Sequence, residues 1–202
     1  MSEILEALFG SKARLRVMRF FLLNLENECE ADEIARKNML TLPAVRKEIN
    51  ALKKIGFIKE KNKKGKKVYN LDQQFHFYPE LKSLFSKATA SPESKSLARI
   101  KTIGEVKLAL VSGVFLDYAK SKVDMVLVVN NVNRSKLKNV MNTLEAEIGK
   151  EVSFALMNSE EFKYRLDMLD RFLLDFLEGP HTEIVDKIPG LKRFIAGRLK
   201  KY

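Results

Sequence analysis

The chain is poor in the residues that build disulfide frameworks and zinc sites. It contains one cysteine, Cys29, and two histidines, His76 and His181. A single cysteine excludes an intrachain disulfide, and the histidines lack the Cys/His spacing of a structural metal site. We therefore expect no metal site and no resident cofactor, and the unpaired thiol suits a reducing cytoplasm.

Long apolar runs are also missing. A membrane-spanning helix needs about 20 consecutive apolar residues, and no stretch of the sequence approaches that length. The N-terminus has neither a basic segment nor the apolar core of a cleavable signal. These absences predict a soluble, cytoplasmic protein without a membrane partner.

Acidic residues are outnumbered by basic ones. The formal net charge is +11, from 37 Lys and Arg against 26 Asp and Glu. Residues 1–90 hold 18 basic and 11 acidic side chains, whereas residues 91–202 hold 19 and 15. Because a basic surface attracts polyanions, the composition favours a nucleic acid or an acidic membrane surface as the partner, most strongly for the N-terminal part.

A Pro/Ser cluster at residues 91–94 marks the expected domain boundary, since it is the one such cluster in mid-chain. The length of the chain suits two small domains. We expect the first domain to cover residues 1–90 and to end in a linking helix. The second domain covers residues 91–202.

Residues 41–58 carry the clearest helical pattern. Their apolar residues recur at helical spacing and predict a buried stripe, which consists of Val45, Ile49, Leu52 and Ile55. Thr41 stands where an N-cap belongs, Pro43 lies in the first turn, where a missing N–H costs nothing, and Gly56 ends the helix. The remaining surface consists of Arg46, Lys47, Asn50, Lys53 and Lys54. One face packs, and the other faces outward.

Two shorter helices precede this one and a hairpin follows it. Apolar spacing predicts a helix over about 12–25. Acidic residues in the first turn and basic ones in the last predict a short helix over 30–37. Residues 57–71 read as two short strands around a turn at 62–65. Against one acid, Glu60, the hairpin carries Lys59, Lys61, Lys63, Lys64, Lys66 and Lys67. Such a tip suits a clamp on DNA phosphates, and the alternative is a plain charged loop.

This order of elements resembles the winged helix-turn-helix regulators of bacteria and archaea over about residues 10–75. The matching residues are Ala44-Val45, Lys47 and the run from Leu52 through Ile55-Gly56-Phe57-Ile58. The resemblance implies that the outward face of the helix enters the major groove of DNA and that the hairpin is a wing on phosphates. The DNA contacts that it implies are Thr41, Leu42, Pro43, Arg46, Lys47, Asn50, Lys61, Lys63, Lys64, Lys66 and Lys67. Lys47 and Asn50 are the candidates for base edges.

The C-terminal half reads as an α/β layer. Short β-branched runs over 106–115 and 123–129 predict buried strands, a periodic segment over 133–148 predicts a helix that Gly149 stops, and 151–157 predicts a third strand. Helices against a small mixed sheet are expected. The fold class is thus α+β, with a winged-helix domain first and an α/β domain second.

Residues from Val111 to Glu178 resemble the minimal nucleotidyltransferase superfamily in layout. That family has a Gly-Ser turn after the first strand, an Asp-x-Asp on the second and a later third carboxylate. This chain has Ser112-Gly113 in reversed order and Lys122-Val123-Asp124, and no acid at Ser153. One carboxylate cannot hold two metal ions. We therefore expect no catalytic residues and a degenerate relative that has lost transferase chemistry.

The same residues leave three readings of the pocket open. Ser112, Gly113, Lys122 and Asp124 can form an effector pocket for a nucleotide or another phosphorylated ligand. Alternatively the domain serves only as a protein-contact surface. Asp124 also has a purely structural reading, because an Asp at a strand end often caps a neighbouring turn.

These patterns favour one function and leave two rivals. The favoured function is a homodimeric, sequence-specific regulator that binds double-stranded DNA through the helix and the wing. One rival is an active nucleotidyltransferase that acts on a nucleic acid or a protein substrate. The other is an antitoxin-like partner protein whose DNA binding serves autorepression.

Overall fold

The computed structural model describes residues 2–89 and 95–199, and it has an α+β fold. Its contacts divide the chain into two compact units. The first unit holds the residues up to Thr89 together with Asn142–Glu151, and the second unit holds the others. The predicted boundary at residues 91–94 lies outside the described residues, and the grouping of 142–151 with the first unit was not expected from the sequence.

The first unit contains helices and a two-stranded sheet. Its helices are α1 (Ser2–Phe9), α2 (Lys12–Leu23), α3 (Ala31–Lys37), α4 (Leu42–Lys54) and α5 (Tyr78–Thr89), and its strands are β1 (Ile58–Lys63) and β2 (Lys66–Leu71). The strands are antiparallel, with Ile58 opposite Leu71 and Lys63 opposite Lys66. Helices α2, α3 and α4 and the hairpin confirm elements predicted from the sequence, whereas α1 was not predicted.

The second unit is built on a four-stranded mixed sheet. Its strands are β3 (Glu105–Val111), β4 (Met125–Asn130), β5 (Phe154–Met157) and β6 (Thr182–Asp186). The chain's remaining α-helices are α6 (Lys95–Ala98), α7 (Arg134–Ile148), α8 (Ser159–Asp167), α9 (Arg171–Glu178) and α10 (Leu191–Leu199), and short 3-10 helices cover Arg99–Thr102 and Gly113–Phe115. The strand order is β5-β4-β3-β6, with β4 and β5 parallel and the other pairs antiparallel. The predicted mixed sheet is therefore confirmed.

Each unit has its own apolar core. In the first, Phe21, Phe57 and Ile34 are fully buried among residues of α2, α3, α4 and the hairpin. In the second, Val126 and Val128 on one face of β4 pack with residues of α8 and α9. The alternate residues Met125, Leu127 and Val129 are buried as well. The strand is thus buried on both faces, as the apolar run in the sequence predicted, and the strand order places it inside the sheet.

Two details of the predicted elements were wrong. The strand predicted over 106–115 ends at Val111, because the chain turns at Ser112 into a 3-10 helix. Ile55, placed on the buried stripe, is 60% exposed. It is the C-cap of α4, so the helical period no longer applies to it. Among the described residues, no helix combines the length and the apolar character that crossing a membrane requires.

Candidate nucleic-acid interface and candidate pocket

Helix α4 is delimited by the residues that the sequence indicated. Thr41 is the extended N-cap, with Pro43 in the first turn, although the Thr41 side chain makes no capping hydrogen bond to a described residue. At the other end Gly56 adopts a φ of +77°. Its N–H donates to the Lys53 carbonyl at 3.0 Å, and the Phe57 N–H donates to the Leu52 carbonyl at 3.0 Å. This left-handed exit turns the chain directly from α4 into β1.

One acidic residue of α4 lies on the buried side, which the sequence reading missed. Glu48 is 4% exposed. Its carboxylate accepts from Arg14 Nε at 2.9 Å and from Ser11 Oγ at 3.1 Å, while Ser11 Oγ also caps α2 by accepting from the Arg14 N–H. The signal was present, because Glu48 follows Val45 by three residues and precedes Leu52 by four, which places it on the buried stripe. The network holds α4 against the start of α2.

The outward face of α4 is open. Arg46, Lys47 and Asn50 are exposed, as are Thr41 and Pro43. Within the described part of the chain, the side chains of Arg46, Lys47 and Asn50 form no hydrogen bond or ion pair. Leu42 is half-buried and packs against the core. The face predicted to reach DNA is therefore accessible.

The hairpin has a tight two-residue turn, and an isolated β-bridge joins Cys29 to β2. Lys64 and Gly65 have φ values of +50° and +78°, which match the right-handed twist of the flanking strands. Next to β2, the Cys29 N–H donates to the Tyr69 carbonyl at 3.1 Å, and the Tyr69 N–H donates to the Cys29 carbonyl at 2.9 Å. Cys29 is thereby fixed against the hairpin, with Glu28 and Glu30 on either side.

Most hairpin lysines have an acidic partner, and three of these acids, Glu28, Glu30 and Asp72, lie outside the hairpin. Glu28 holds Lys61 at 2.7 Å and Lys63 at 3.0 Å. Glu30 holds Lys66 at 2.7 Å, and Asp72 holds Lys59 at 2.8 Å. Glu60 accepts from Lys67 at 3.0 Å and also pairs with Lys53 of α4. Lys64, at the turn, is the hairpin lysine without an ion pair to a described residue.

These pairs shift the acid–base equilibria of the groups. Hydrogen bonds from Lys61 and Lys63 lower the pKa of Glu28, and those from Lys53 and Lys67 lower the pKa of Glu60. A hydrogen bond to Glu30 raises the pKa of Lys66. All of these side chains are near solvent, so the pairs are open to competition from phosphate and salt.

A groove of 460 Å³ lies between α4, the start of α3 and the hairpin. Four of the predicted DNA contacts line it, namely Arg46, Asn50, Lys66 and Lys67. Its other lining residues are Glu30, Ala31, Asp32, Ile49 and Tyr69. The structure thus brings part of the predicted helix face and part of the predicted wing onto one concave surface, whereas Lys47 lies outside the groove.

In the second unit, the side chains predicted to hold an effector are engaged in the fold. The ends of β3, β4 and β5 meet there, and Asp124 Oδ1 accepts from the Val114 N–H at 2.8 Å. Asp124 Oδ2 accepts from the Ser153 N–H at 2.9 Å and from the Ser153 hydroxyl at 2.7 Å. Ser112 is 1% exposed and donates its hydroxyl to the Pro180 carbonyl at 2.6 Å. Asp124 thus acts as the turn cap that the structural reading described, with Ser153 as the partner that the sequence did not reveal.

A neighbouring cavity of 390 Å³ includes some of these residues. Ser112 and Lys122 line it, but Gly113 and Asp124 do not. The lining mixes charges and aromatic rings: Tyr118, Lys120, Ser121, Phe172, Asp175, Phe176, Glu178, Gly179 and Pro180. Lys122 Nζ donates to Asp175 Oδ2 at 2.9 Å, so its charge is already paired.

Cys29 and His181 are both packed against other residues of their units. Cys29 is buried, and burial raises the pKa of its thiol to about 11. The His181 ring lies 6.2 Å from that of Phe176, and its Nδ1 is 2.9 Å from the Gly179 carbonyl oxygen. In the ranges 2–89 and 95–199, no three His, Cys, Asp or Glu side chains gather closely enough to hold a metal ion.

We compared the chain with models of protein families, with curated proteins and with solved structures, and none of the three comparisons found a significant match.

Proposed function

We propose that this protein is a sequence-specific DNA-binding regulator of the winged helix-turn-helix kind. The observation that carries the proposal is the juxtaposition of α4 and the hairpin around one groove, with Arg46 and Asn50 on one wall and Lys66 and Lys67 on the other. A helix with an open polar face fits the major groove, and a basic hairpin beside it fits the flanking phosphates.

Within this proposal, α4 reads sequence and the hairpin supplies affinity. Lys47 and Asn50 are exposed near the middle of the outward face. A lysine pairs with the acceptor edge of guanine, and a carboxamide pairs with adenine through two hydrogen bonds. The lysine at the turn, Lys64, is free of acidic partners in the described chain and is suited to a phosphate. Two subunits would read half-sites about 34 Å apart.

For the second unit we propose a fold related to the nucleotidyltransferases that serves dimerisation or effector sensing rather than catalysis. The hydrogen bonds of Asp124 support this view, because both carboxylate oxygens accept from backbone N–H groups. Asp124 Oδ2 already accepts two hydrogen bonds and Oδ1 accepts one, so a single lone pair, on Oδ1, is left for a metal ion. Ser112 is equally committed, since its hydroxyl donates to Pro180. No observation of the structure favours the transferase or the antitoxin-like alternative.

The test is selection of genomic DNA fragments on the purified protein at near-physiological salt, followed by footprinting. We expect one motif to be enriched, with Lys47→Ala weakening its binding by roughly 5- to 150-fold, the range for loss of one base contact. Lys138→Ala is the matched control, because Lys138 is exposed on α7 and carries the same charge. Enrichment of no motif, or equal effects of the two substitutions, would contradict the proposal.

A further inference from the structure

We infer that Glu28 and Glu30 set the specificity of DNA binding by restraining the lysines of the hairpin. The inference rests on the proposed function and concerns how strongly the hairpin holds DNA of any sequence. With the two acids in place, phosphate must compete for Lys61, Lys63 and Lys66. Tight binding then depends on the contacts of α4, which differ between sequences.

The two acids are held in position by the backbone between them. Cys29 is fixed to Tyr69 by two backbone hydrogen bonds, of 3.1 Å and 2.9 Å. Its neighbours Glu28 and Glu30 are therefore carried alongside β2 rather than left on a free loop. The side chain of Cys29 is 3% exposed, which anchors the segment in the core of the first unit.

The pairing is specific in geometry. The two oxygens of Glu28 each take a different lysine, with Oε1 accepting from Lys61 and Oε2 from Lys63. Glu30 Oε1 accepts from Lys66. Lys61 and Lys63 lie two residues apart on β1, and Lys66 is opposite Lys63 on β2, so all three lysines share one face of the hairpin. The acids reduce the formal charge of this set from +3 to +1.

Stabilisation of the fold is a weak alternative reason for these pairs. Exposed ion pairs contribute little to folding stability, and the three lysine side chains are 54%, 65% and 67% exposed. The ion pairs should have a larger effect on the affinity of the hairpin for a polyanion. Each phosphate that a protein cation neutralises adds about 0.9 to the slope of log affinity against log salt, whatever the base sequence.

The experiment compares wild type with the double variant Glu28→Gln/Glu30→Gln on two duplexes, the selected motif and an unrelated sequence. Affinity is measured by fluorescence anisotropy across a salt series. We expect the double variant to bind the unrelated duplex about tenfold more tightly near 0.1 M salt, with a salt slope steeper by about one to two. The gain on the selected motif should be smaller, so the specificity ratio falls.

The matched control is Glu26→Gln, which removes one charge from the same loop, and it is compared with the single variants Glu28→Gln and Glu30→Gln, each of which also removes one. Glu26 is exposed, and no ion pair joins it to a described residue. A second comparison adds Lys61→Gln/Lys63→Gln to each background. Loss of these lysines should cost less affinity in the wild type than in the double variant, because the acids already restrain them in the wild type.

Three outcomes overturn the inference. If neither single variant binds the unrelated duplex more tightly than Glu26→Gln does, the acids do not restrain the wing. If the double variant binds it more weakly than wild type does, the acids position the lysines for phosphate instead. In both cases wild-type recognition of the motif stands, so the proposed function survives. Absence of any wild-type DNA binding at low salt removes both the inference and the proposed function.

Discussion

Substitution of Gly113, in the turn after β3, should lower the stability of the second unit. Gly113 has a φ of +50°, and a Cβ added there would lie 2.0 Å from Asp124 Oδ1. Gly113→Ala thus combines backbone strain with a steric clash. Left-handed backbone costs a non-glycine residue about 1–2 kcal/mol. The clash must also push the carboxylate away from the Val114 N–H, which it accepts at 2.8 Å.

The second cost can be sized from the lost hydrogen bond. A backbone donor left without a partner away from water costs about 1–3 kcal/mol. We therefore expect Gly113→Ala to lower the free energy of unfolding by about 2–5 kcal/mol in total. The control is Gly190→Ala, because Gly190 has a φ of +80° but no described atom lies within 4 Å of its added Cβ. That variant should lose only the strain, about 1–2 kcal/mol.

Urea denaturation followed by circular dichroism measures the two losses, and hydrogen exchange of peptides from β3 and β4 locates them in the second unit. Asp124→Ala removes the clashing oxygen. The Asp124 Cα remains 3.1 Å from the added Cβ. In that background, Gly113→Ala should therefore lose most, but not all, of its excess cost over Gly190→Ala. Equal losses for Gly113→Ala and Gly190→Ala in the otherwise wild-type chain would refute the packing of the Asp124 carboxylate against this turn.

Two further predictions concern the first unit. Burial raises the pKa of the Cys29 thiol to about 11, so at pH 8 we expect iodoacetamide to label folded protein far more slowly than urea-unfolded protein. The raised pKa means that the folded state holds the thiol proton more tightly than the unfolded state does, so the resulting contribution to the free energy of unfolding is lost as pH rises towards 11. Equal labelling rates would contradict the burial of Cys29. On α4, Ile49→Ala should lower the free energy of unfolding by about 2–5 kcal/mol, because Ile49 is 1% exposed. Ile55→Ala should change it by less than about 0.5 kcal/mol, since Ile55 is 60% exposed, and similar losses at both positions would contradict the end of α4 at Lys54.

Local signals in the sequence predicted the elements that carry the candidate interface. Helix α4 combines an apolar period with a start signal at Thr41 and a stop signal at Gly56. All three signals depend only on residues that are close together in the sequence. The hairpin was predictable for the same reason, because the turn at Lys64-Gly65 needs positive φ. Ile55 was misplaced because a period does not reveal the residue at which a helix ends. Helix α1 was not predicted, because its eight residues make little more than two turns.

Interactions between distant residues were not predictable. Glu28 meets Lys61 and Lys63 across more than thirty residues of sequence. A count of charges along the hairpin therefore overstated its positive character. The same limit applies to Asp124, whose role as a cap was one of several readings. Its partner Ser153 lies 29 residues away and is brought close by the parallel pairing of β4 and β5.

The outer side of β1 has a consequence for the behaviour of the protein in concentrated solution. Cys29 bridges to β2, whereas no described strand lies beside β1 on its other side. An open strand edge can add a strand from another molecule, and lysines discourage this by mutual repulsion. Lys59, Lys61 and Lys63 alternate along β1 and are paired with two acids, Asp72 and Glu28, so one net positive charge is left to supply that repulsion. A polyanion that neutralises this charge removes this barrier to aggregation, so the hairpin links charge neutralisation to self-association.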